Sequence, residues 1–196
     1  VGAAWYQRDF DAPEWWPGHR VTLTLERPHW ATRVWLDGRE IGADTSLATA
    51  HVYDLGTAVA PGRHRLTIRV DNRMVVDVGP NAHSVTDHTQ GNWNGIVGRI
   101  ELAAGGPAWI ADAQVYPRVA ERAALVRVRL GNALGQPGVA RLHLAARLTN
   151  APGKHEPEPV NVEVALGPEG GSAEVLYPLG DEARLWDEFS PALYTL

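Results

Sequence analysis

Apolar and polar residues alternate with a period of two along most of the chain. Val21, Leu23 and Leu25 alternate with Thr22, Thr24 and Glu26, and Leu66, Ile68 and Val70 alternate with Arg65, Thr67 and Arg69. Successive side chains of a strand point to opposite faces, so each run predicts a strand with one face in a core and the other in water. Asp37-Gly38 follows Val34-Trp35-Leu36 and precedes Glu40-Ile41, the strongest short-range hairpin signal in the chain. Pro61-Gly62 marks a further turn. The first half therefore reads as antiparallel β.

After Gly105-Gly106-Pro107 the pattern restarts. Val126, Val128 and Leu130 alternate with Arg127 and Arg129, and Leu142, Leu144 and Ala146 alternate with Arg141, His143 and Arg147. Two more runs, Val160 to Leu166 and Ser172 to Tyr177, flank Gly167-Pro168-Glu169-Gly170-Gly171. Asn150 to Pro159 holds three prolines and Gly153, and reads as a solvated loop. No long segment shows the helical period. The expectation is an all-β chain of two sandwiches, residues 1–106 and 107–196, with negligible helix.

Composition narrows the chemistry. A chain of 196 residues can bury two small cores without disulfides or metals, and 44% hydrophobic with 21% charged residues is ordinary for a globular protein. Net charge is −5, and the 18 lysines and arginines are scattered, so neither nucleic acid nor an anionic membrane is an expected partner. With no cysteine, disulfides, thiol catalysis and thiolate metal sites are excluded, while the compartment stays open. No apolar run approaches the roughly 18 residues of a membrane span.

The densest polar and aromatic stretch is Ser84 to Gly95, reading Ser-Val-Thr-Asp-His-Thr-Gln-Gly-Asn-Trp-Asn-Gly. Asp87 can accept hydrogen bonds from neighbouring hydroxyls, Asn92 offers a donor beside an acceptor, and Trp93 offers a face to the C–H side of a pyranose. His88 and His83 flank Asp87 and could donate to hydroxyls. The competing account is local: Asp, Asn and Thr favour loops because they satisfy their own backbone. A metal site would need at least three convergent ligands at fixed spacing, and no such spacing is present, so no metal or other cofactor is expected. His29, His51 and His64 sit at strand ends and are expected in a plain surface or packing role. Most of the eight tryptophans are expected in the core, with Trp35 facing away from Val34 and Leu36, and with Trp109 and Trp186 packing between domains.

Several strings fall in the order seen in one enzyme family. AWYQRDF (residues 4–10), VWLDGREIG (34–42), YDLG (53–56), LTIRVDN (66–72) and NWNGIVGRIEL (92–102) together resemble the N-terminal domain of glycoside hydrolase family 2, which includes β-galactosidases and β-glucuronidases. WIADAQVYP (109–117) and LWDEFSPALYTL (185–196) resemble the opening and closing segments of that family's immunoglobulin-like domain. The resemblance implies a galactose-binding-like jelly roll followed by an immunoglobulin-like sandwich. It also implies that both domains are truncated at their outer ends, which would leave unpaired sheet edges and favour self-association. Family chemistry belongs to a downstream barrel in which two glutamates, about 5–5.5 Å apart, act as acid/base and nucleophile. The family's acid/base Glu follows an Asn, and no Asn-Glu pair occurs here, so no catalytic residue is carried over.

What the resemblance does carry over is a supporting role. The loop before the NWNG-like segment reaches the barrel mouth in the family, and Asp87 occupies the matching acidic position, with His88, Asn92 and Trp93 in the same stretch. Gly98-Arg99 stands where many members have Arg directly after the Ile96-Val97 position. The expected function is thus the non-catalytic, sugar-binding part of a retaining glycosidase, acting on a glycoside together with the missing barrel. A free-standing carbohydrate-binding module or lectin is the alternative, and an adhesion scaffold of tandem sandwiches is a third.

Overall fold

The structure is a computed structural model and describes residues 2–83, 85–86 and 93–196. It is all-β, in two units, Val1–Gly106 and Pro107–Leu196, and among the described residues its one helical element is a 3₁₀ turn at Val119–Glu121. Among the described residues no helix is long and apolar enough to cross a membrane.

Unit 1 contains β1 (Ala3–Ala12), β2 (Arg20–His29), β3 (Ala31–Leu36), β4 (Arg39–Asp44), β5 (His51–Gly56), β6 (Gly62–Asp71) and β7 (Gly95–Gly105). They form two antiparallel sheets, in the orders β1-β6-β3-β4 and β5-β2-β7. The alternating runs supply the core: Leu23 and Leu25 from one sheet pack with Val34, Leu66, Ile68 and Val70 from the other, and Tyr53 joins them. Each such buried side chain contributes about 1.5–3 kcal/mol over leaving it exposed. Asp37 and Gly38 have φ of 51° and 83°, the double positive φ that a type I′ hairpin needs. Asp37 also ties the turn to β6, accepting from the Arg65 N–H at 2.7 Å and from His64 Nδ1–H at 2.6 Å.

The Gly98-Arg99 departure has a local cause. Pairing of β2 with β7 shifts register between Leu25 and Arg27, and the Glu26 carboxylate turns into the bulge to accept the Arg99 N–H at 2.8 Å. Gly98 has φ of +84°, which favours glycine, and a Cβ there would lie 2.6 Å from Glu26 Oε2 and push that carboxylate aside. Arg99 is thereby drawn onto Glu26 and Glu101, each at 3.4 Å.

Unit 2 contains β8 (Ala108–Arg118), β9 (Ala123–Asn132), β10 (Gly138–Leu144), β11 (Arg147–Leu148), β12 (Val160–Leu166), β13 (Gly170–Pro178) and β14 (Tyr194–Thr195). Sheets β13-β9-β8 and β10-β12 pack around Val126, Val128, Leu142, Leu144, Val164, Val175 and Tyr177, and β11 pairs with β14. The run expected to continue through Arg147 breaks after Leu144. The buried Ala146 N–H donates to the Tyr177 hydroxyl at 3.1 Å, and that hydroxyl donates to the Pro157 carbonyl at 3.2 Å.

One expectation about side chains needs correcting, that most tryptophans lie in the core. Of the eight tryptophans only Trp16 and Trp30 are fully buried, while Trp5, Trp15, Trp93 and Trp186 are exposed. The reason is visible at β1, an edge strand: Trp5 stacks on Trp35 with ring centroids 5.3 Å apart, and the pair lies on the face opposite the buried Val34. Trp109 covers Gly131 on the paired strand of its own unit, where a Cβ would strike its ring. The histidines at strand ends are packed: His29 and His51 are buried, and His64 is largely so.

Candidate functional site

Antiparallel register brings one set of strand ends together in unit 1. Ala3 and Ala31 both lie opposite Asp71, and His29 lies opposite Gly95, so the start of β1, the end of β2, the start of β3, the end of β6 and the start of β7 share one end of the sandwich. The connection from β6 to β7 leaves and returns there. It carries the sugar-like cluster read from the sequence. Asp87, His88 and Asn92 lie outside the described residues, and Trp93 is the one member whose setting is described.

Both ends of this connection are held. At its start the Asp71 carboxylate accepts from Arg69 Nη2 at 2.5 Å, from Arg73 Nη2 at 2.5 Å and from the Arg73 backbone N–H at 3.1 Å. The hydrogen bond from the Arg73 side chain, more than any other cause, holds the Asp71 pKa down at about 2. Asp71 is therefore a fixed anion with no capacity as a general acid. Within the connection the Thr86 hydroxyl donates to the Pro80 carbonyl at 2.7 Å.

Two hydrogen bonds fix the return, and a glycine follows them. His29 Nδ1–H donates to the Trp93 carbonyl at 2.6 Å, and the two rings lie 5.2 Å apart. The Asn72 side-chain amide donates to the Asn94 side-chain oxygen, while Asn72 Oδ1 accepts the Gly2 N–H at 2.7 Å. Gly95 takes φ of +76°, and a Cβ there would lie 2.6 Å from the Tyr6 hydroxyl. Trp93 nonetheless remains 36% exposed, so part of its surface is open for contact.

A second loop, residues 45–50, is anchored close by in the chain. Trp30 Nε1–H donates to the Thr45 carbonyl and His51 Nε2–H to the Ser46 carbonyl, each at 2.7 Å. The Thr32 hydroxyl lies 2.5 Å from His51 Nδ1 and 2.5 Å from the Tyr53 hydroxyl, so the three side chains form one buried hydrogen-bonded chain. Burial pushes the Tyr53 phenol above its usual range, which keeps it a donor.

The polar groups described at this end hold backbone and side chains of the two loops in place, and part of the Trp93 surface is left open. Among the described residues no three His, Asp or Glu side chains converge as a metal site would require. Sequence reasoning singled out Trp93 but missed His29 and Trp30, which act on residues 64 and 15 positions away. The one signal was their adjacency at the end of an alternating run, where the pattern itself gives no reason for two polar-tipped rings.

Comparison with known proteins places this geometry. No family model matches the chain. A stretch of 68 residues, 33% of the chain, is 35% identical to a β-galactosidase of Arthrobacter sp. (strain B7), and spans 7% of that protein. Among solved structures, 98% of the chain superposes on a Bacteroides uniformis β-glucuronidase with a TM-score of 0.71 and 18% identity. A glycosyl hydrolase family 2 member from Bacteroides cellulosilyticus gives 0.71 at 19% identity, and a Bifidobacterium dentium β-glucuronidase gives 0.65 at 22%. The chain spans 23%, 26% and 35% of these three structures respectively. Its fold is thus related to that of family 2 glycoside hydrolases.

Proposed function

We propose that this chain is the non-catalytic, sugar-binding and scaffold part of a retaining family 2 glycoside hydrolase, with unit 1 a jelly roll and unit 2 an immunoglobulin-like sandwich. The loop of residues 83–95 completes the substrate pocket of a catalytic barrel that this chain does not contain. One observation carries the reading: the return of that loop is tied down by hydrogen bonds from His29 and Asn72, while Trp93 stays partly exposed. Rigid placement of a polar and aromatic loop is what a ligand-facing segment needs, since ordering it at binding would cost affinity. The match to the Arthrobacter β-galactosidase and the fold shared with β-glucuronidases support the choice of ligand class.

In an intact enzyme carrying this segment, Asp87 takes a charge-assisted hydrogen bond from a sugar hydroxyl, a bond that strengthens as positive charge develops on the ring. Asp87→Ala is expected to lower kcat/KM by roughly tenfold to a hundredfold, about 1.5–3 kcal/mol, with little change in Tm. Asn92→Ala should do less. A fall in Tm with unchanged kcat/KM would reduce Asp87 to a cap of its own loop. The isolated chain should release no nitrophenol from nitrophenyl glycosides.

The stack of the exposed Trp5 on the half-buried Trp35 favours the second reading, a free-standing carbohydrate-binding module with an aromatic platform. Trp5→Ala separates the two. Loss of polysaccharide binding by the isolated chain supports the module, whereas the first reading expects Trp5→Ala to leave sugar binding untouched.

A further inference from the structure

His29 is only 4% exposed, yet it is half satisfied. Its Nδ1 faces a carbonyl and so carries a proton, while Nε2 is buried and without a partner among the described residues. An orphaned buried polar nitrogen opposes folding. A phenyl ring would fill nearly the same volume without that cost. What the imidazole adds is the donor at Nδ1, and the target of that donor is informative. The pairing of β2 with β7 ends at His29 opposite Gly95, so the Trp93 carbonyl lies two residues beyond the last rung of the ladder, where no sheet hydrogen bond fixes it.

The neighbouring residue does the same for another loop. Trp30 spends its indole N–H on the Thr45 carbonyl at 2.7 Å, at the start of residues 45–50. Two consecutive side chains at one strand end thus hold carbonyls in two different loops. We infer that His29 is the positioning residue of this end of unit 1: its Nδ1–H sets where the Trp93 ring lies, and Trp30 beside it fixes the start of the 45–50 loop. The consequence for ligand binding rests on the carbohydrate reading above; the positioning itself does not.

Two amide variants separate the ring nitrogens. His29→Asn places an amide nitrogen near the Nδ1 position, whereas His29→Gln reaches toward Nε2. In nuclear Overhauser spectra of the 196-residue chain the readout is the contact between the Asn72 and Asn94 side-chain amides, which does not depend on the ring current of the imidazole 5.2 Å from the indole. His29→Asn should keep that contact and His29→Gln should lose it, with the amides of the core residues Val34 and Val70 unmoved in either variant. His29→Phe keeps ring volume, and it too should lose the contact in a folded protein. The same outcome in Asn and Gln, or a retained contact in His29→Phe, would overturn the inference and leave the ring a packing element.

Titration with galactose and with glucuronate then reads the consequence. One lost hydrogen bond predicts about tenfold weaker binding in His29→Phe than in the wild type, with binding recovered in His29→Asn. Equal binding in all three would remove the functional part of the inference. Failure of either sugar to perturb Trp93 in the wild type would instead count against a sugar site on this chain by itself, the free-standing module, and the ligand-free spectra would still decide the positioning.

Discussion

Asp71→Asn removes the anion that holds the start of the β6–β7 connection, and its effect on stability can be worked from the geometry. The carboxylate is almost fully buried, and its pKa falls from 3.8 to about 2. At 1.36 kcal/mol per unit that difference corresponds to about 2.5 kcal/mol of stability at neutral pH. The Arg73 side chain is 65% exposed, so water screens the partner that contributes most, and about 1–2 kcal/mol is the working figure. For a depressed carboxylate the stabilisation is fully present above its unfolded pKa, near 4, and disappears as pH falls through about 2. The variant should therefore unfold more easily than the wild type at pH 7, by about 4–16 °C in Tm for a unit of this size, and the gap should close as pH approaches 2. Thermal scans followed by near-ultraviolet circular dichroism at several pH values would measure it. A gap of the same size at pH 2.5 and pH 7, or no gap at all, would refute the account of Asp71 as a charge held by two arginines.

Other expectations follow from the same structure. Tyr177→Phe strands the buried Ala146 N–H and Pro157 carbonyl and should destabilise unit 2 by about 1–3 kcal/mol in urea unfolding, with Tyr116→Phe, an exposed site, near neutral. His64 donates from Nδ1 to Asp37 and from Nε2 to the Ala60 carbonyl, so its pKa is raised above 6.5, chiefly by Asp37. Its contribution is fully present below pH 6.5 and fades as pH rises through the folded value, and Asp37→Asn should flatten that slope in a pH series of melting curves. Among the described residues β1 pairs only with β6 and β7 only with β2, so self-association through these edges is expected, and a monomer at high concentration in sedimentation would count against it.

The sequence showed the strands well because period-2 alternation reports directly which face is buried. Val160 to Leu166 is β12 to the residue, and Asp37-Gly38 turns as its composition demands. Failures came where a residue's fate depends on what lies across the sheet. Trp5 belongs to an apolar-rich string, but it stands on the outer face of an edge strand, and its one ring partner among the described residues is Trp35, thirty positions away. Leu142 to Arg147 alternates as a strand would, yet β10 stops at Leu144 because Tyr177 claims the Ala146 N–H.

The site is harder still to read, for a related reason. Alternation tells which face of a sheet a residue occupies, but a loop-bearing end is assembled from strand ends, and those are joined by register rather than by pattern. His29 meets Trp93 because β2 and β7 pair antiparallel with His29 opposite Gly95; shifting that register by two residues would leave the alternation intact and carry the imidazole away from the carbonyl. The bulge at Glu26 lies between the well-paired middle of these strands and the end that carries His29, and Gly98 is what allows it. Gly98→Ala would drive a Cβ into Glu26 and should disturb Trp93 from five residues away. That result would link a backbone irregularity, which looks in the sequence like a displaced arginine, to the placement of the ring on which the carbohydrate reading depends.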